Sequence, residues 1–107
     1  MNELIENNHV PSAIFAASDP IAIGALRALN QHGYHVPDDI SLIGFDNIDT
    51  TNYTSPPLTS IFAPTFDMGY MGARMLFDAS RRNENISPIR IQMPCFLIER
   101  ESCQKRG

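Results

Sequence analysis

The chain has 107 residues, 43% of them hydrophobic and 19% charged, a balance that fits one small globular domain and excludes a disordered segment. Eight Lys and Arg against twelve Asp and Glu leave a net charge of −4, which weighs against a phosphate-binding nucleic-acid surface. No run approaches the ~20 apolar residues of a membrane span, and the acidic, polar start lacks the pattern of a secretory signal. Cys95 and Cys103 are too few for a disulfide framework or a metal site, so both are expected as reduced thiols.

In chain order, Glu3 to Asn8 reads as the last turns of a helix, stopped by Pro11. Residues 13–17 form an apolar run without polar alternation, the pattern of a strand covered on both faces. Asp19-Pro20 then offers an N-cap and a first-turn proline for a helix over residues 20–32, with Gly33 as its stop. Residues 36–39 make a turn before a second buried strand at 40–45. A loop rich in Asn, Ser and Pro leads to a third strand at 58–62. Thr65 can cap another helix, in which Met68, Met71, Gly72, Met75, Leu76 and Ala79 fall on one face, and residues 81–85 end it. Residues 89–93 alternate, and Phe96-Leu97-Ile98 lie beyond Pro94, so the last strand is expected near an edge. The sum is α/β with a mainly parallel sheet flanked by helices.

On the helix at 20–32, Ile21, Ala25, Ala28 and Leu29 are expected on the core face. Ile23 falls opposite, as a scattered surface residue or as part of a second packing surface such as a dimer contact.

Ligands of parallel sheets bind beyond the carboxyl ends of the strands. Two strands end there in polar residues, at Ala17-Ser18-Asp19 and at Gly44-Phe45-Asp46-Asn47. Asp19 can cap the helix that follows, which leaves the Ser18 hydroxyl to face a cleft. A carboxylate such as Asp46, at the end of a buried strand, needs hydrogen-bond donors. Two adjacent sugar hydroxyls would supply them, and an Asx-turn into the next loop is the structural alternative.

Catalytic signals are absent. His9, His32 and His35 have no nucleophile or carboxylate at a telling spacing, and no nucleophile elbow, phosphate loop or H-E-x-x-H stretch occurs. Gly69-Tyr70-Met71-Gly72 sits in a helix pattern, and Tyr70, Tyr53 and Phe45 serve core packing or ligand stacking. No enzyme, cofactor or metal is expected.

Three linked stretches resemble one family. They are residues 11–19 running into Ile21-Ala22-Ile23-Gly24-Ala25-Leu26, then Val36-Pro37-Asp38-Asp39-Ile40-Ser41-Leu42-Ile43-Gly44-Phe45-Asp46-Asn47, and Pro57-Leu58-Thr59-Ser60-Ile61. Together with the ending Leu97-Ile98-Glu99-Arg100-Glu101-Ser102, they look like the effector-binding domain of LacI/GalR-type transcriptional repressors. The resemblance runs over nearly the whole chain.

It implies the C-terminal portion of a type I periplasmic-binding-protein-like fold, two α/β subdomains around a cleft. The full-length protein would be a cytoplasmic homodimer that binds operator DNA only through an N-terminal headpiece outside this chain. A small effector, a sugar or sugar derivative, would switch its DNA affinity. By position, Asp46 and Ser18 match effector contacts, and Ala63 stands where a polar contact, often Gln, is usual. Ile23, Leu26, Tyr53 and Thr54 match the dimer surface. The segment at about 64–85 is expected to pack on an N-terminal subdomain largely outside residues 1–107. The alternative is a periplasmic sugar-binding protein that feeds a transporter.

Overall fold

The computed structural model describes residues 1–82 and 88–106. Its elements are helix α1 (Asn2–Glu6), strand β1 (Ala13–Phe15), helix α2 (Asp19–Gln31), strand β2 (Ser41–Phe45), a 3₁₀ turn (Asp49–Asn52), strand β3 (Thr59–Phe62), helix α3 (Thr65–Arg82) and strand β4 (Phe96–Ile98). One sheet holds the strands in the order β1-β2-β3-β4; the first three run parallel and β4 runs antiparallel to β3 at an edge. The alternating residues 89–93 carry no strand. Pairing starts only at Phe96, past Pro94, which has no N–H to give a ladder. The helix end expected at 83–85 lies outside the described residues.

Helix α2 starts differently from its expected cap. Ser18 is the N-cap, its Oγ accepting from the Ile21 N–H at 3.5 Å, with Pro20 in the first turn. The chain leaves the helix through His32 and Gly33, whose φ of +79° suits the residue without a Cβ. The core face is also rotated from the expected one. Of the expected residues Ala25, Ala28 and Leu29 are buried, but Ala22 and Leu26 join them, whereas Ile21 is 58% exposed and Ile23 is half-buried against the core. The stripe in the core is Ala22, Ala25, Leu26 and Leu29. Those four residues sit at i, i+3, i+4 and i+7, a tighter stripe than any that includes Ile21. Ile21 and Ile23 each lie about 100° from Ala22, so they flank the stripe on opposite sides.

That stripe packs on one face of the sheet, with Ala16, Val36, Ile40, Leu42 and Leu58 completing the core and Met1 and Ile5 of the α1 region leaning on it. The other face has no such cover. Register places Phe15 beside Ile43, and Phe45 beside Ile61, which pairs in turn with Leu97, on that second face. Phe15 and Leu97 are each about 60% exposed (61% and 60%), so β1 is covered on one face, not two. A parallel sheet normally buries both.

The tail after β4 wedges between the starting ends of β2 and β3. Buried Ser102 accepts from the Thr59 N–H through its Oγ at 2.8 Å and donates that hydroxyl to the Leu42 carbonyl. The Leu42 N–H in turn donates to the Ser102 carbonyl at 2.8 Å. Helix α3, in contrast, has no buried residue, with Phe66, Tyr70, Leu76 and Phe77 all exposed. The molecule measures 59 × 26 × 26 Å, with a radius of gyration of 18.7 Å. A compact chain of this length would have about 13 Å.

Candidate functional site

The carboxyl ends of β1, β2 and β3 share one rim, and the expected site residues sit on it. Asp46 follows β2 directly, at φ +99°, and Asn47 follows at φ +52°. Two successive non-glycine residues in left-handed backbone are uncommon and need surroundings that hold them. Three consecutive N–H groups do so. That of Asp46 donates to the Ile61 carbonyl at 2.8 Å, that of Asn47 to Ser60 Oγ at 3.1 Å, and that of Ile48 to Asp19 Oδ2 at 2.8 Å.

Asp19 and Ser60 form the floor of this turn. Ser60 Oγ donates to Asp19 Oδ1 at 2.6 Å, and both side chains are fully buried. Asp19 therefore does not cap α2 as expected; Ser18 takes that role and frees the carboxylate to reach β3 and the Asp46 turn. Gly44 makes room for it. A Cβ on Gly44 would collide with Asp19 Oδ1 and come within 3.2 Å of the Leu58 side chain. The Asp46 carboxylate itself is exposed on the rim, available to an incoming donor.

From the side, Arg100 closes the turn. Its Nη2 donates to Asn47 Oδ1 at 2.6 Å and its Nη1 to the Leu58 carbonyl at 2.7 Å. Its own N–H donates to Thr59 Oγ1 at 2.9 Å. Neither Arg100 nor Asp19 is suggested for this site by sequence spacing, because their partners lie 29 to 53 residues away.

Above the rim lies a cavity of about 490 Å³, lined by Phe45, Asp46, Ala63 and the Met68, Met71 and Met75 side of α3, with residues 89–95 across from it. Its size falls in the usual range for small-molecule sites, roughly 300–1,000 Å³. Asp46 and Ala63 meet there as their positions after β2 and β3 require. Ser18 is not among the lining residues, since its hydroxyl is engaged by the first turn of α2.

The expected dimer residues gather elsewhere. Ile23, Leu26 and Thr54 line one shallow groove with Arg27, Asn30 and Gln31. Leu26 is only 4% exposed and belongs mainly to the core, reaching the groove at its edge. Thr54 is half-buried and donates its hydroxyl to the Thr51 and Pro56 carbonyls. Tyr53 stands beside it, 85% exposed. Among the described residues no group of three or more His, Cys, Asp or Glu side chains is placed to hold a metal, and both cysteines are free. No helix among them is long and apolar enough to cross a membrane.

A family model for the periplasmic binding protein-like domain matches residues 1–103, and the chain belongs to that family, in the form found in LacI-type regulators. It is 40% identical over 103 residues to the HTH-type transcriptional repressor MelR of Bacillus subtilis, covering 96% of this chain and 29% of MelR. Among solved structures it is similar to the transcriptional regulator CelR in complex with cellobiose, at a TM-score of 0.85 and 36% identity, over 94% of this chain and 30% of that one. A LacI family regulator from Enterococcus faecium with bound ribose superimposes at a TM-score of 0.81 and 31% identity, over 95% of this chain and 38% of that one. The chain thus spans about three-tenths (29% and 30%) of the length of the curated relatives it matches first.

Proposed function

We propose that this chain is the effector-sensing portion of a sugar-responsive LacI/GalR-type repressor, and that Asp46 is its principal sugar ligand. The observation that carries this is the exposed Asp46 carboxylate, held in a left-handed turn at the carboxyl end of β2 and opening on the cavity. A carboxylate accepts from two adjacent hydroxyls at once, the pattern that a pyranose or furanose edge offers. Phe45 and the methionines of α3 supply apolar surface for the faces of the ring. The matched relatives are regulators of transcription, which favours a repressor over a transporter's binding protein.

In the whole protein, operator contact would come from a headpiece outside this chain, and the acidic net charge of −4 leaves this part little affinity for phosphates. The Ile23 groove, with Thr54 and neighbouring Tyr53, is the proposed homodimer surface. The exposed apolar face of α3 is the proposed seat of an N-terminal subdomain, and Ser18 a contact reached only when the cleft closes. Sugar would then act by binding one cleft state more tightly than the other, and no catalysis is involved.

The test is Asp46→Ala in the full-length repressor, with operator release followed against D-ribose and cellobiose. Release by the sugar that acts on the unaltered protein should be lost while operator affinity without sugar is kept. Unchanged release would refute the assignment.

A further inference from the structure

We infer that Arg100 and Asn47 form a latch that positions the Asp46 carboxylate, so that sugar affinity depends on two residues that need not touch sugar. The inference rests on Asp46 as the sugar ligand. The Asp46–Asn47 turn spends two residues at positive φ, a conformation that a free loop would leave. Its backbone is tied below to Ile61, Ser60 and Asp19. Those ties fix the peptide planes, but the Asn47 side chain is anchored only from the side. There a guanidinium two residues beyond β4 donates at 2.6 Å to Asn47 Oδ1 while its other arm is fixed on the Leu58 carbonyl. A planar, two-armed donor suits this bridge, and a lysine ammonium would not span both acceptors in the same geometry. With the latch open, only the three N–H bonds oppose relaxation of Asn47 and the preceding Asp46 toward ordinary backbone, and the carboxylate leaves the cavity rim more often. Arg100 and Asn47 are thus positioning residues acting through Asp46.

The experiment uses the full-length repressor with four changes: Arg100→Met, Asn47→Gly, Asn47→Asp and Asp46→Ala. Asn47→Gly tolerates positive φ but removes the Oδ1 acceptor, whereas Asn47→Asp keeps an acceptor for the guanidinium. Hydrogen–deuterium exchange of the peptide spanning residues 46–48 needs no sugar. It should quicken about tenfold or more in Arg100→Met and Asn47→Gly and stay slow in Asn47→Asp. With D-ribose and cellobiose as probes, the first two changes should raise the sugar concentration for half-release of operator about tenfold, and Asn47→Asp should restore it. Peptides of helix α2 should keep wild-type exchange in Arg100→Met and Asn47→Gly, which a general loss of stability would not reproduce. Wild-type exchange in both Asn47→Gly and Arg100→Met, or wild-type sugar release in both, would overturn the latch. If Asp46→Ala alone leaves the sugar response intact, the ligand reading fails, and with it the latch's effect on affinity; exchange still reports whether the latch holds the turn.

Discussion

Asp19 shows how a single side chain can join three parts of a chain. Buried outright, it accepts from Ser60 on β3 and from the Ile48 N–H, and no residue of ordinary size fits opposite it except Gly44. Asp19→Ala strands a buried hydroxyl and a backbone N–H, and should cost about 3 kcal/mol of stability. Gly44→Ala pushes a methyl into the carboxylate and should cost about 1–3 kcal/mol. Urea midpoints of the full-length variants check both, and midpoints unchanged within error would mean that the site floor is not built as described. The sequence shows that an acidic residue stands before Pro20, and a helix cap is the local use for it. Its actual partners are remote, and no spacing rule reaches from residue 19 to residue 60. Ser18 offers a cap just as well, and only the fold decides between them.

At the scale of elements, the helix at α2 and the strands β2 and β3 are legible because their apolar residues keep a clean period. What the wheel misses is the direction of the stripe. Ile21 and Ile23 are larger than the alanines, yet small residues let α2 approach the sheet closely enough for Leu26 and Leu29 to fill the space. Leu29 is fully buried, so Leu29→Ala should cost about 2–5 kcal/mol. Ile21→Ser, on the flank, should cost under about 0.5 kcal/mol. Thermal unfolding of the two variants side by side checks the rotation of the helix, and equal losses would contradict it. The β1 strand was expected to be covered on both sides because its run lacks polar residues. Composition records that a face is apolar but not whether anything lies on it.

At the scale of the whole molecule, the accessible surface is 7842 Å² for 11.9 kDa. A folded monomer of that mass exposes roughly 5,900 Å². Much of the surplus is the α3 side and the uncovered sheet face with Phe15 and Leu97. The 107-residue chain by itself should therefore self-associate and bind a hydrophobic dye, and light scattering would check this. A sharply monomeric, dye-free species at tens of micromolar would show those faces to be covered by some other packing. Replacing Met71 and Leu76 with Glu should reduce the association, since both lie on α3 and are exposed.

The Arg100 bridge has a consequence for synthesis. Its bond to Asn47 spans 53 residues, and the Ser60 bond to Asp19 spans 41. Contacts this distant in sequence close late, because the loop between them must be ordered first. A chain extended only to residue 99 contains every strand of the rim but not the guanidinium that fastens it. Up to that point the turn that carries Asp46 is unfastened on one side, so the rim is completed only when the last stretch of this chain has docked.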